Sequence, residues 1–133
     1  MRREVMLPEE DLEFLETRGL PWETANEGGS QWLLVHDFAI PDGYNHTAVI
    51  VALLIHPQYP DVQIDMVYFS PCLERSDHKP IPALSTQTIL GLTFQRWSRH
   101  LNGDETWRLG VDGIGTHLLK VTEWLRREFR ERP

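Results

Sequence analysis

The sequence predicts an α+β domain: a first helix, a four-stranded antiparallel meander, a long irregular loop, and a last helix packed on the sheet. Two observations carry that prediction. Thr47-Ala-Val-Ile-Val-Ala-Leu-Leu-Ile55 is a nearly continuous apolar run rich in β-branched residues, as suits a central strand. Ile114, Leu118, Val121, Leu125 and Phe129 are spaced four, three, four and four apart, which draws one apolar stripe along a helix.

In chain order, Pro8 followed by Glu9, Glu10 and Asp11 marks a helix start, because proline suits the first helical position and carboxylates favour the positive end of the dipole. Leu12 and Leu15 share a face, and Gly19 with Pro21 ends the helix. Trp22-Glu-Thr-Ala25 and Gln31-Trp-Leu-Leu-Val-His36 read as strands flanking the turn Glu27-Gly-Gly-Ser30. Pro41-Asp-Gly-Tyr-Asn45 is a turn cluster before the central run, which His56-Pro57 terminates. Ile64-Asp-Met-Val-Tyr-Phe69 reads as the fourth strand, closed by Ser70-Pro71. Residues 70–90 hold Pro71, Pro80, Pro82 and a charged tract, so they read as an irregular loop of functional length, with a brief return to strand over Gly91–Trp97. Asn102-Gly-Asp-Glu105 is a turn, and Asp112 is a credible N-cap for the last helix.

A chain of 133 residues suits a single domain over 1–133 and buries about two-thirds of the surface its unfolded form exposes. Hydrophobic residues at 41% and charged residues at 25% are ordinary globular usage. The longest apolar run falls well short of the ~20 residues of a membrane span, and the charged start Met-Arg-Arg-Glu leads into no apolar leader core. A cytoplasmic protein without a membrane partner is expected. The formal charge of -7 argues against a phosphate-backbone binder, so no nucleic acid is expected either. Arg126, Arg127, Arg130 and Arg132 read as cations at a helix C-terminus. The single cysteine, Cys72, excludes an internal disulfide, and the six histidines show no HxH, HxxxH or H-E-x-x-H spacing, so neither metal nor cofactor is expected.

The candidate chemistry gathers in Phe94-Gln-Arg-Trp-Ser-Arg-His100, where an apolar strand ends. A serine hydroxyl becomes a nucleophile only when a base takes its proton. His100 stands two residues after Ser98, which in extended chain puts both side chains on one side, and Arg96 and Arg99 can offset developing oxyanion charge. On these residues alone a surface turn with a serine hydrogen bond is the plainer reading. Cys72 is the alternative nucleophile, between Pro71 and Leu73 with Glu74 nearby to disfavour its thiolate. A small hydrolase built on Ser98 and His100 lacks a third member to orient the imidazole.

The order of these pieces resembles the ubiquitin-conjugating enzyme superfamily: Tyr59-Pro60 matches its Tyr-Pro pair, Met66-Val-Tyr-Phe69 the strand after it, and Trp107 with the helix from Asp112 its Trp-plus-helix segment. From Leu7 to about Glu128 the chain is similar to a bacterial branch of that superfamily, most specifically in Gln95-Arg-Trp-Ser-Arg-His100 and Gly110-Val-Asp112. The resemblance implies the UBC-like fold. It also implies three partners: a ubiquitin-like protein, an adenylating activating enzyme and a target protein.

The family's acceptor cysteine lies shortly before that Trp, and Ser98 stands nearest to its place. The His-Pro-Asn motif is absent, with His78-Lys-Pro80 only loosely near it. Three readings stay open. Ser98 carries the modifier as an oxyester with His100 as base and Arg96 or Arg99 at the oxyanion; Cys72 carries it as a thioester; or the domain is an inactive module that binds a ubiquitin-like protein or its activating enzyme without chemistry.

Overall fold

The apolar runs form strands and the striped segment forms a helix in the computed structural model, which describes residues 1–100 and 106–133. The turn expected at Asn102–Glu105 lies outside the described residues. Helix α1 (Glu9–Arg18) follows Pro8, carries its three carboxylates in the first turn, and stops at Gly19, which adopts the left-handed conformation. Strands β1 (Trp22–Glu27), β2 (Ser30–Ala39), β3 (Ala48–Ile55) and β4 (Val67–Ser70) come next, followed by β5 (Leu84–Ile89), β6 (Leu92–Trp97) and helix α2 (Ile114–Glu131).

The sheet has six antiparallel strands in the order β1-β2-β3-β4-β6-β5, where the sequence predicts four. Strand β6 is the brief return to strand expected over Gly91–Trp97, and β5 comes from the stretch read as loop. Ser85, Thr86, Gln87 and Thr88 form a strand through their pairing with β6, although they carry no apolar run. Their hairpin turns at Leu90 and Gly91, both at positive φ, as a two-residue turn of this hand requires. Two boundaries also differ from expectation. Strand β4 starts at Val67, because Met66 sits at φ 59 and breaks the extended run. Helix α2 has Gly113 at its N-cap, and Asp112 instead accepts the Arg108 N–H at 2.7 Å and pairs with its guanidinium.

Both helices pack on one face of the sheet. There Leu15, Ile114, Leu118, Val121 and Leu125 join Leu33, Val35, Val51, Leu53, Phe69 and Trp97 in the main core, each fully buried aliphatic side chain contributing about 1.5–3 kcal/mol. The other face is apolar too, with Trp32, Leu34, Ala52, Tyr68, Ile89 and Phe94 in a second cluster that no helix covers. What buries it is the curl of the sheet. In a flat sheet β1 and β6 would lie about 19 Å apart. Here the Leu90 N–H at the β5–β6 tip donates to the Glu27 carboxylate at the end of β1, so the hairpin folds over its own sheet.

Helix α2 is tied to α1 as well as to the sheet. The Tyr59 hydroxyl donates to Asp11 at 2.6 Å, and the first amide of α2, at Ile114, points at both the Tyr59 oxygen (3.0 Å) and Asp11 Oδ1 (3.2 Å). An orphan helix N-terminus is thereby satisfied by a carboxylate from another helix. Burial pushes the Asp11 carboxyl above its ordinary range even though both hydrogen bonds favour the ionised form. Tyr59 is shifted upward as well, by burial first and then by the adjacent carboxylate. Trp107 closes the corner by donating its indole N–H to Pro60 O at 3.0 Å.

Candidate active site

Strand β6 is anchored at its end by Trp97, which is fully buried and donates its indole N–H to Gln95 Oε1 at 2.8 Å. Gln95 is fixed in turn by two hydrogen bonds with the Leu73 backbone, at 2.9 and 3.0 Å. Just past this anchor the chain turns: the Arg99 N–H reaches back to Trp97 O at 3.0 Å, which makes Ser98 the central residue of a three-residue turn. The Ser98 N–H still bonds Ala83 O at 3.1 Å, the last rung of the β5–β6 ladder. The extended-chain argument for pairing Ser98 with His100 therefore does not hold. The turn nonetheless brings both, with Arg99, to one cleft of about 310 Å³ walled by Trp124, Glu128 and Arg132 of α2 and its end.

His100 is half-exposed and oriented from an unexpected quarter. Its Nδ1 lies 2.7 Å from Asp65 Oδ2. An ionised carboxylate can only accept, so Nδ1 carries the proton; in the neutral ring that leaves the lone pair on Nε2, the tautomer a general base needs. Asp65 is thus the group that orients the imidazole, which the sequence alone does not reveal. No hydrogen bond joins Ser98 to His100 among the described contacts, so the pair shares a cleft without a formed proton path.

Asp65 is held by its own surroundings. Met66, beside it, donates its N–H to Arg99 O at 3.0 Å, and Met66 O accepts from His117 Nε2 at 2.8 Å. The left-handed Met66 thus pins the start of β4 to the segment leaving β6. His117 is 1% exposed, and burial holds its pKa below the ordinary 6.5, against the raising influence of Met66 O and Asp65 and with a small lowering one from Lys120. A histidine kept neutral by the fold binds more protons when unfolded, so its contribution is complete above about pH 6.5 and is lost as pH falls toward its folded pKa. Denaturant midpoints measured from pH 7.5 to 5 should show this: the stability advantage of the wild type over His117→Gln shrinks below pH 6.5.

Of the two candidate oxyanion arginines, one borders the cleft. Arg99 borders the cleft, lies 4.9 Å over the Trp97 ring, and donates from Nη1 to Pro82 O and Ser98 O, both at 3.2 Å. Burial lowers its pKa from the usual guanidinium value. Arg96 is elsewhere. It alternates with Gln95 and Trp97, which face the helices, and so it projects on the opposite side of the sheet beside its cross-strand partner Tyr68. Residues two apart in a strand share a face, but the turn at Ser98 ends that alternation and leaves Arg96 on the far side of the sheet, outside the cleft.

Cys72 is half-buried after the cis Ser70-Pro71 bond and lies outside the cleft; its carbonyl accepts from Asn45 Nδ2 at 3.4 Å. Sequence reasoning misses Asp65 because its pairing with His100 depends on β4 lying beside β6, which no local signal states. It also reads the last turns of α2 only as dipole-matching cations. In the structure Glu128 is fully buried there, 2.7 Å from Arg132, and forms part of the cleft wall.

No curated protein and no solved structure matches this chain. A family model does: the one described as Prokaryotic E2 family E matches residues 7–128, which spans both helices but for the last few residues of α2, and all six strands. With a match over most of its length, the chain belongs to prokaryotic E2 family E, a ubiquitin-conjugating-like family.

Proposed function

We propose that this protein is a carrier in ubiquitin-like conjugation, in which Ser98 accepts a ubiquitin-like protein from an adenylating activating enzyme as an oxyester and passes it to a target. The observation that carries the reading is the arrangement at the end of β6: Ser98 and His100 border one cleft, and Asp65 fixes the His100 tautomer at 2.7 Å. In the loading step Ser98 Oγ attacks the activated acyl carbon while its proton passes to His100 Nε2. The tetrahedral oxyanion forms beside Arg99, and its collapse expels the activating enzyme's leaving group, which takes the proton back. Transfer repeats these steps with a nucleophile of the target attacking the oxyester. The serine–histidine hydrogen bond absent from the free protein is one that ligand-free sites commonly form on substrate arrival. Asp65 acts through His100 and is a positioning residue.

The test is intact-mass measurement after incubation with a ubiquitin-like protein and its activating enzyme from the same genome, with Mg-ATP, for wild type, Ser98→Ala and Cys72→Ala. The expected adduct resists thiol reductant, is cleaved by mild base, persists in Cys72→Ala and is lost in Ser98→Ala. A reductant-labile adduct lost in Cys72→Ala would transfer the assignment to the thiol. Reversible binding with no adduct in any sample would make the chain a binding module.

A further inference from the structure

We infer that the free edge of β5 is the docking rail for the extended C-terminal segment of the modifier, which adds to the sheet as a seventh, antiparallel strand; the inference rests on Ser98 as the acceptor. Strand β5 ends the sheet and, among the described residues, pairs only with β6. The two-residue turn makes Ile89 and Leu92 a hydrogen-bonded pair, and alternation along the register then aims the backbone N–H and C=O of Leu84, Thr86 and Thr88 outward. Thr86, Gln87 and Thr88 are exposed. Natural edges are blunted by charge, proline or a bulge; β5 has none of these, reading Leu-Ser-Thr-Gln-Thr-Ile in unbroken register with β6.

The direction of the strand selects the occupant. Strand β5 starts beside the reactive segment, since Ala83 O accepts the Ser98 N–H at 3.1 Å and Leu84 faces Trp97 across the ladder. A strand added antiparallel therefore runs toward that end and delivers its C-terminus there, whereas a parallel one would deliver its N-terminus. A partner whose terminal carboxyl must become an ester on Ser98 is the one that needs this polarity. The added strand would lie two strand spacings from β6, about 10 Å. At ~3.3 Å per extended residue, its last three residues span that gap over the exposed Pro82 and Ala83. Main-chain hydrogen bonds of this kind provide affinity with little demand on side-chain identity.

The experiment compares adduct formation at sub-saturating ubiquitin-like protein in wild type, Thr86→Pro and Thr86→Val. Proline removes the outward N–H and leaves the β6 ladder intact, a position where edge strands tolerate it; valine removes the hydroxyl and keeps the N–H. A loss of about tenfold or more in Thr86→Pro, with Thr86→Val at the wild-type rate and both variants melting as wild type does, is expected. A second arm needs no variant fold: a peptide of the modifier's last eight residues should compete with loading, and the same peptide N-methylated at alternate amides should not. Wild-type loading by a folded Thr86→Pro, or equal competition by both peptides, overturns the rail and leaves Ser98 untouched. Concentration-dependent self-association in sedimentation, lost in Thr86→Pro, would overturn it in favour of a second copy of this chain. A wild type that forms no adduct sinks the carrier reading instead, and the rail with it.

Discussion

His100→Ala should slow oxyester loading about 10²–10⁴-fold, the usual worth of a positioned general base, while leaving the folded protein and its affinity for the modifier in place. The side chain is more than half exposed, at 57%, so its removal opens no cavity. Asp65→Asn should fall between that variant and the wild type. An amide in place of the carboxylate can donate as well as accept, so it no longer forces the proton onto Nδ1 and a share of His100 presents N–H instead of a lone pair at Nε2. The measurement is the single-turnover rate of mass increase, because endpoint yield hides a slow acceptor. Wild-type rates in His100→Ala would remove the base from the mechanism and leave Ser98, if it reacts, dependent on a group of the activating enzyme.

Among the glycines of the described residues, Gly43→Ala should be the most destabilising, by roughly 3 kcal/mol or more. Two penalties coincide there. Gly43 sits at φ 108, a conformation that L residues avoid, and a Cβ built on it would lie 2.5 Å from Phe129 Cζ. The ring has little room to move, with Tyr44 packed edge-on at 5.1 Å and the Arg75 guanidinium 4.5 Å over its face. Arg75 is itself 2% exposed and bound to Asp77 and Arg132 O. Chemical denaturation should show the loss directly, and the double variant Gly43→Ala with Phe129→Leu should be less destabilised than the sum of the two, since the smaller side chain relieves the contact but not the backbone strain. Additive losses would assign the whole cost to φ.

Where burial wrote the pattern, the fold was legible. The central apolar run became β3, and four of the five stripe residues of α2 are buried in the main core. Strand β5 was illegible for the converse reason: an edge strand exposed along three of its six residues has no apolar signature, and the prolines before it speak for a loop. The site divides along the same line. Ser98, Arg99 and His100 are contiguous and could be read together, but the local rule offered for them, alternation in extended chain, fails at the turn after Trp97. Arg96 was misplaced because residues two apart in a strand share a face only while the strand lasts. Asp65 and Glu128 reach the cleft through tertiary packing alone, and Tyr59, noticed as part of a motif, serves to cap a helix.

The clasp between Leu90 and Glu27 joins positions 63 apart in the chain, and it closes an apolar cluster to which neither helix contributes. A contact of that span forms only after the strands between have been assembled, and it can be released without disturbing the side of the sheet where α1 and α2 lie. The two clusters are the two faces of one sheet, with β2, β3, β4 and β6 giving side chains to both; releasing the clasp would free the β5–β6 hairpin, whose Ile89 and Phe94 belong to the face without helices. Amide exchange should divide accordingly, with Leu33 and Val51 opening only on global unfolding and Phe94 opening when the hairpin unlatches. Exchange divided in this way would give the hairpin that ends at Ser98 an opening equilibrium of its own.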